Sequence, residues 1–296
     1  MWIPITLAAA TFQILRTSRQ HVLRHTLTVN GAGFVRYGFG FPLAVIVAVI
    51  TFGVVGEPLP VAPWRFWPMI AGAGMAQILG TLALIRAFDL RDFAIGTVYS
   101  KTEVIIVAIV STVVLGEALR PLGWVAAGVC MVGVAWLAAP RRVRDLVSSA
   151  ADPAALMGVL AATGLAAAAV GIRAASNSLG DDPAWNRAMF TLVVMLGIQT
   201  TVNGAQLLAT DPTELGNVAR QWRAALPVGA LSLCGSAGWA LAVTLANAAK
   251  VRTLGQIEIV LAFAISAFWL HEHHTRAEYA ASALVLLGVI GVVALG

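Results

Sequence analysis

Glu103 and Glu258 are carboxylates inside apolar runs, followed by Val104-Ile105-Ile106-Val107 and by Ile259-Val260-Leu261. Each stands roughly ten residues into its run, about 15 Å at helical rise. A carboxylate so placed can carry a proton, hold a cationic solute or close an ion pair. An ionisable group deep in a membrane helix costs about 2.5–3.5 kcal/mol on insertion scales, so it must face a partner or a wet cavity. Arg36 and Arg187 lie a few residues into two other apolar runs. The expected pairs are therefore Arg36 with Glu103 and Arg187 with Glu258, with a structural staple that touches no solute as the plain alternative. Lys101 points to a different helix face from Glu103, where it can meet an anionic solute group or a carboxylate, or snorkel to the interface. Tyr99, one turn before Glu103, shares its face. Gln13, Arg16 and Gln20 fall on one side of the first run at helical spacing. With Gln77, Trp239 and Gln256, these complete the candidate substrate pathway: Gln13, Arg16, Arg36, Gln77, Tyr99, Lys101, Glu103, Arg187, Trp239, Gln256 and Glu258.

Other chemistries find no support. His271-Glu272-His273-His274 has Thr275 where a zinc-protease helix needs its second histidine, and it reads as a surface hairpin. There is no Ser-His-Asp set, phosphate loop or CxxC pair. Cys130 and Cys234 both lie in apolar segments and read as packing residues. No catalytic residue, metal or cofactor is expected. The net charge of +5 comes from arginines spread singly, apart from Arg141, Arg142 and Arg144. That pattern suits orientation signals in short loops better than a nucleic-acid face.

The elements that carry these residues follow from composition. The chain is 59% hydrophobic and 11% charged, against about 25% charged in soluble domains, so its solvent is largely lipid. A membrane helix needs roughly 20 apolar residues. Ten such spans are expected at 2–20, 31–53, 65–88, 93–115, 119–138, 154–176, 184–208, 223–246, 250–270 and 277–295. Turn chemistry separates them, as at Gly56-Glu57-Pro58, Gly116-Glu117, Gly180-Asp181-Asp182-Pro183 and Asp211-Pro212. The apolar start has its positive charges after it, at Arg16 and Arg19, so it reads as the first span and not as a signal peptide. Glycines along the apolar faces favour close helix packing.

A shift of 155 residues lays Glu103 on Glu258, Ser111 on Ser266, Glu117 on Glu272 and Gly133 on Gly288. A shift of 158 lays Trp64-Arg65 on Trp222-Arg223 and Gly80 on Gly238. Carboxylates are scarce here, so the acidic matches argue for duplication. The expected organisation is a first five-helix repeat over 1–140, a short basic linker over 141–153 and a second repeat over 154–296. Five spans begin and end on opposite sides, so the second copy is inverted, with a cavity expected between the halves. The fold class is all-α integral membrane, ten transmembrane helices as two inverted five-helix repeats.

The runs Lys101-Thr102-Glu103-Val104, Leu115-Gly116-Glu117 and Gly123 to Gly133, with a second copy in Gln256-Ile257-Glu258-Ile259 and Leu270-His271-Glu272, resemble the EamA domain of the drug/metabolite transporter superfamily. Val104 and Ile259 stand where that family often has proline, and His271 where it has glycine. The resemblance implies a ten-helix fold and movement of small metabolites. The expected function is a secondary transporter, exporter or exchanger, of a small polar or amphipathic metabolite such as an amino acid, working by alternating access. A membrane-embedded lipid-handling enzyme or a non-transporting scaffold is the alternative. The expected partners are a small-molecule substrate, the lipid bilayer of the inner membrane and protons as a candidate coupling ion, with a monomer or homodimer as the assembly. Loop arginines put the 139–153 side in the cytoplasm and both termini outside, whereas the resemblance implies cytoplasmic termini.

Overall fold

The computed structural model describes residues 1–23, 26–90, 99–138, 153–264 and 275–296. Among them every regular element is helical. In chain order these are α1 (Trp2–Leu23), α2 (Val29–Gly38), α3 (Gly40–Ala48), α4 (Phe66–Leu90), α5 (Glu103–Leu115), α6 (Pro121–Ala138), α7 (Pro153–Asn177), α8 (Ala184–Thr210), α9 (Pro212–Arg220), α10 (Trp222–Leu245), α11 (Ala248–Gly255), α12 (Ile257–Ala264) and α13 (Arg276–Leu295). One π turn, Val49–Val54, extends α3. Among the described residues six stretches are long and apolar enough to cross a membrane: Asn30–Val54, Phe66–Ala87, Pro153–Asn177, Ala184–Thr210, Trp222–Leu245 and Arg276–Leu295. Glu103–Leu115 and Pro121–Leu137 are shorter apolar helices. The protein is a multi-pass membrane protein.

Three expectations on the spans need correction. The second span is interrupted at Phe39, and the ninth at Gln256. A short helix, α9, occupies the connection after Asp211 that had read only as a break. The fourth span is described from Tyr99, with its main helix starting at Glu103; residues 91–98 lie outside the described residues, as do most of the basic linker and the His271–His274 hairpin. Gly56, Gly116 and Gly180 take positive φ at expected turns. At Gly116 (φ 69°) the left-handed residue ends α5, and the amide of Glu117 bonds back to the Ser111 carbonyl.

The chain forms two compact units. The first comprises Met1–Gly74 with Ile172–Leu245. Within it α1 runs against α10. A Cβ on Gly238 would meet Ala9, and one on Gly235 would meet Phe12, so rising numbers on one helix meet falling numbers on the other. The pair is antiparallel. Leu23, Leu27, Val35, Val218, Ala225 and Val228 form a buried cluster in this unit. The α2–α3 break at Phe39 rests on Gly229, where there is no room for a side chain. The start of α2 is capped by Thr28, whose hydroxyl accepts from the Gly31 amide at 3.1 Å. Glu214 of α9 accepts in turn from the Thr28 amide at 2.6 Å and from its hydroxyl at 2.8 Å.

The second unit comprises Met75–Gly171 with Ala246–Gly296. Here α6 packs along α13. Built Cβ atoms on Gly123 and Gly133 would meet Gly296 and Val285, while Gly288 and Gly291 face Cys130 and Ala126. Numbers fall on one helix as they rise on the other, so this pair is antiparallel as well. Positions 130 and 285 match under the 155-residue shift, and so do 133 and 288. The contact of Gly133 with Val285 is therefore repeated as the contact of Gly288 with Cys130. Such reciprocity is what a local two-fold axis produces. Gly80 of α4 lies against Gly164 and the Ala161 carbonyl of α7. This repeats the seating of Gly238, its match at a shift of 158, on Ala9 and the Ile5 carbonyl within the first unit. Cys130 is buried at its crossing, as expected of a packing residue, but Cys234 is exposed, which corrects that reading for Cys234.

Candidate functional site at two helix breaks

Helical structure is interrupted at Lys101–Thr102, just before α5, and again at Gln256, between α11 and α12. The two breaks coincide under the 155-residue shift. Neither carries proline. At the first break the Thr102 hydroxyl satisfies the Tyr99 carbonyl at 2.6 Å. At the second the Gln256 amide bonds to the Thr253 carbonyl at 3.0 Å, a tight turn that does not continue the α-helix. Glu103 and Glu258 each lie in the first turn after a break. A helix start presents unsatisfied N–H groups and the positive end of its dipole, which favours a carboxylate by about 0.3–1 kcal/mol. Breaking the helix thus creates, inside an apolar segment, a place where a glutamate is tolerated.

The counterions differ from expectation. Glu103 Oε1 accepts from Arg252 Nε at 2.6 Å and from its Nη2 at 2.5 Å. Lys101 Nζ donates to Glu258 Oε1 at 3.2 Å. The Glu103 side chain is 5% exposed and that of Arg252 18%, while Lys101 and Glu258 are 18% and 20% exposed. Arg252 and Lys101 thus replace the expected Arg36 and Arg187. Both cations sit on the short segments flanking the breaks, so neither has to reach across the depth of a helix. Arg36 lies over the ring of its neighbour Tyr37, 4.8 Å from the centroid. Arg187 donates to Asn177 at 3.5 Å.

In each pair the glutamate belongs to one sequence half and its cation to the other. Removing a partner strands a charge in low dielectric; keeping both leaves the group neutral. Asn247 fixes the register of α11: its side-chain oxygen caps the Ala249 amide at 2.7 Å, and its amide donates to the Glu117 carbonyl at 3.0 Å beyond the end of α5. Gln256 is 3% exposed. Its Nε2 donates to the Arg252 carbonyl at 3.3 Å, and its Oε1 is buried with no partner among the described residues. An unmade acceptor of this kind costs about 1–3 kcal/mol.

The second unit therefore brings together Lys101, Glu103, Gln256 and Glu258 of the expected pathway set and adds Arg252. Tyr99 is half-buried one turn upstream, and Gln77 is half-buried on α4, its carbonyl accepting from the Thr81 hydroxyl. Gln13, Arg16, Arg36, Arg187 and Trp239 belong to the first unit. There Trp239 Nε1 donates to Gln13 at 3.1 Å, so two of these residues meet each other. Arg16 donates to Thr17 at 3.4 Å, and Gln20 on the same side donates to the Ala32 carbonyl at 2.8 Å. Arg252 could have been found from Gly255, which marks a helix end one turn after it, and from the absence of any cation at the matching position, Thr97.

Among known proteins, no curated protein matches the chain. Of 28 matching solved chains, one crystal structure aligns over 98% of this chain and 96% of its own length, with a TM-score of 0.71 and 14% identity. That likeness speaks for the fold alone. Residues 152–294 match the model of the EamA-like transporter family. The second half of the chain thus carries an EamA-like transporter domain, the domain of the drug/metabolite transporter superfamily.

Proposed function

We propose that the protein is a secondary transporter, an exporter or exchanger, that moves a small polar or amphipathic metabolite such as an amino acid across the inner membrane by alternating access. The observation that carries this reading is the pair of matched helix breaks, each followed by a glutamate whose counterion comes from the other half of the sequence. Interrupted helices are how membrane transporters offer polar backbone ends and charges to a solute at membrane depth. The architecture in this reading is ten membrane helices, with residues 1–140 and 154–296 as inverted copies joined by the 141–153 linker. The reciprocal antiparallel packing of Gly133 and Gly288, and the matched seats of Gly80 and Gly238, support it.

Ion pairs between the copies suit such a machine, because they can open and close without a covalent step. Exchange or a proton gradient supplies the drive, and the protein works as a transporter without catalytic residues or cofactor. The test is reconstitution in vesicles loaded with a panel of labelled metabolites, followed for efflux and counterflow. Movement of at least one solute above protein-free vesicles, lost in Glu103→Gln protein reconstituted at equal density, is the expected result. If no solute moves, or if Glu103→Gln and Glu258→Gln both transport normally, the assignment fails.

A further inference from the structure

Gln256 is the member of the site whose bonding is incomplete. Turning its amide by 180° would set oxygen against the Arg252 carbonyl and lose the bond that Nε2 makes, so the unpartnered atom is the oxygen. That atom can only accept. Two residues on, Glu258 holds Lys101, the repeat-matched counterpart of Gln256. Lys101 has three N–H donors and, among the described residues, uses one of them, toward Glu258. Among the described residues the two break segments thus offer one unfilled acceptor, on Gln256, and two unfilled donors, on Lys101. Within the two pairs, Lys101 with Glu258 and Arg252 with Glu103, the charges cancel. A solute with net charge would enter uncompensated. A solute with one N–H-bearing cationic end and one anionic end would fill the vacant positions and leave the balance intact.

We propose that Gln256 Oε1 and Lys101 Nζ form a subsite for a net-neutral zwitterion, in which Gln256 accepts a hydrogen bond from a protonated ammonium and Lys101 donates to a carboxylate. This deepens the transport reading and rests on it. Glu258 holds Lys101 in place. The subsite reads N–H, not positive charge alone, because an amide oxygen with no hydrogen to accept gains little from a cation it cannot bond.

Binding is measured on purified full-length protein in detergent, with each of the twenty L-amino acids as probe. Those that bind are compared with their N,N-dimethyl and N,N,N-trimethyl forms, and with the amine and the acid that lack the opposite charge. The expected result is that a zwitterion binds, that its dimethyl form (bulkier, but with an N–H left) stays close to it, and that the trimethyl form is about tenfold weaker or more, as the loss of a hydrogen bond to a charged group dictates. Gln256→Met, close in volume, weakens the parent by about the same factor and leaves the trimethyl form unchanged. The proposal is overturned if the trimethyl form binds like the parent, if Gln256→Met binds the parent normally, or if only net-charged solutes bind. It is also overturned if no amino acid binds at all. Should Gln256→Met fail to fold, the methylation series on the unaltered protein decides alone. Vesicles that still move a solute while these binding tests fail would leave the transport reading standing and remove the subsite.

Discussion

Replacing Arg252 by methionine keeps most of the side-chain bulk while removing both N–H groups that reach Glu103 Oε1 at 2.5–2.6 Å. Glu103 is then a carboxylate with a 5% exposed side chain and no counterion. Breaking one partner of a buried pair costs about 3–5 kcal/mol, because the remaining charge has neither water nor opposite charge. Glu103→Leu takes this carboxylate from the guanidinium, whose 18% exposure puts the loss toward the lower end of that range. Added independently, the two losses would reach roughly 6–10 kcal/mol. They should not add. The double variant Glu103→Leu/Arg252→Met buries apolar groups in place of the pair, an exchange that is often neutral or stabilising. Its stability is therefore expected within about 1–2 kcal/mol of the unaltered protein. Reversible unfolding of the four proteins in mixed micelles measures the cycle, and vesicle transport is followed in parallel. The double variant should fold and yet fail to transport, which separates the staple from the function. A stable Arg252→Met single variant, or a double variant as damaged as the sum of the singles, would refute the buried-pair reasoning.

Three further outcomes follow from the packing and the caps. A Cβ at Gly288 would collide with the Cys130 backbone, whereas one at Gly128 meets nothing within 4 Å; Gly288→Ala should lose about 1–3 kcal/mol or more, and Gly128→Ala should gain about 0.5–1 kcal/mol, both read by thermal unfolding. Asn247→Ala removes the α11 cap and the donor to Glu117, with an expected loss of about 1 kcal/mol in the same measurement. Glu214, between membrane segments, is pushed up by burial, but bonds from Asn217 and from the Thr28 hydroxyl and amide outweigh this and hold it below its ordinary 4.5. Its folded value being the lower one, the carboxylate stabilises the fold above 4.5 and loses that contribution as pH falls through the folded value. An unfolding series in acid should show this decline, and Glu214→Gln should be less stable at neutral pH and flatter across that window.

Helix positions were legible because lipid enforces them: long apolar runs between turn residues leave few other readings, and Gly56, Gly116 and Gly180 ended helices where their sequence context said they would. The interruptions carried a signal that the span reading passed over. Gly38, Gly40 and Pro42 around Phe39, and Gly255 before Gln256, weaken a helix, and Pro42 has no N–H for the Gly38 carbonyl. The apolar runs on either side nevertheless read as unbroken spans, and the Phe39 turn sits against Gly229, nearly two hundred residues away. The same reason hid Arg252. Rarity singled out Glu103 and Glu258, but choosing their partners by assumed helix depth favoured Arg36 and Arg187. Depth was counted on unbroken helices, and a break changes which cations sit level with a carboxylate. Gln256 was visible only as the match to Lys101, and its vacant oxygen needed coordinates.

The packing and the charges treat the repeat differently. Where helices touch through backbone, the match is reciprocal: Gly133 on Val285 is answered by Gly288 on Cys130, and Gly80 on Gly164 by Gly238 on Ala9. At the breaks the reciprocity ends, because Lys101 is matched by Gln256 and Arg252 by Thr97. On the inverted-repeat reading, exchanging the conformations of the two halves would preserve the glycine contacts, since each has its equivalent. It would not preserve the ion pairs. Glu103 would then meet an amide where Glu258 now meets an ammonium, leaving a carboxylate to be compensated by something that arrives from outside. On that reading symmetric packing would make two conformations accessible and asymmetric charge would make them unequal, and a solute or proton that supplies the missing compensation would shift the population between them only by its differential affinity for the two.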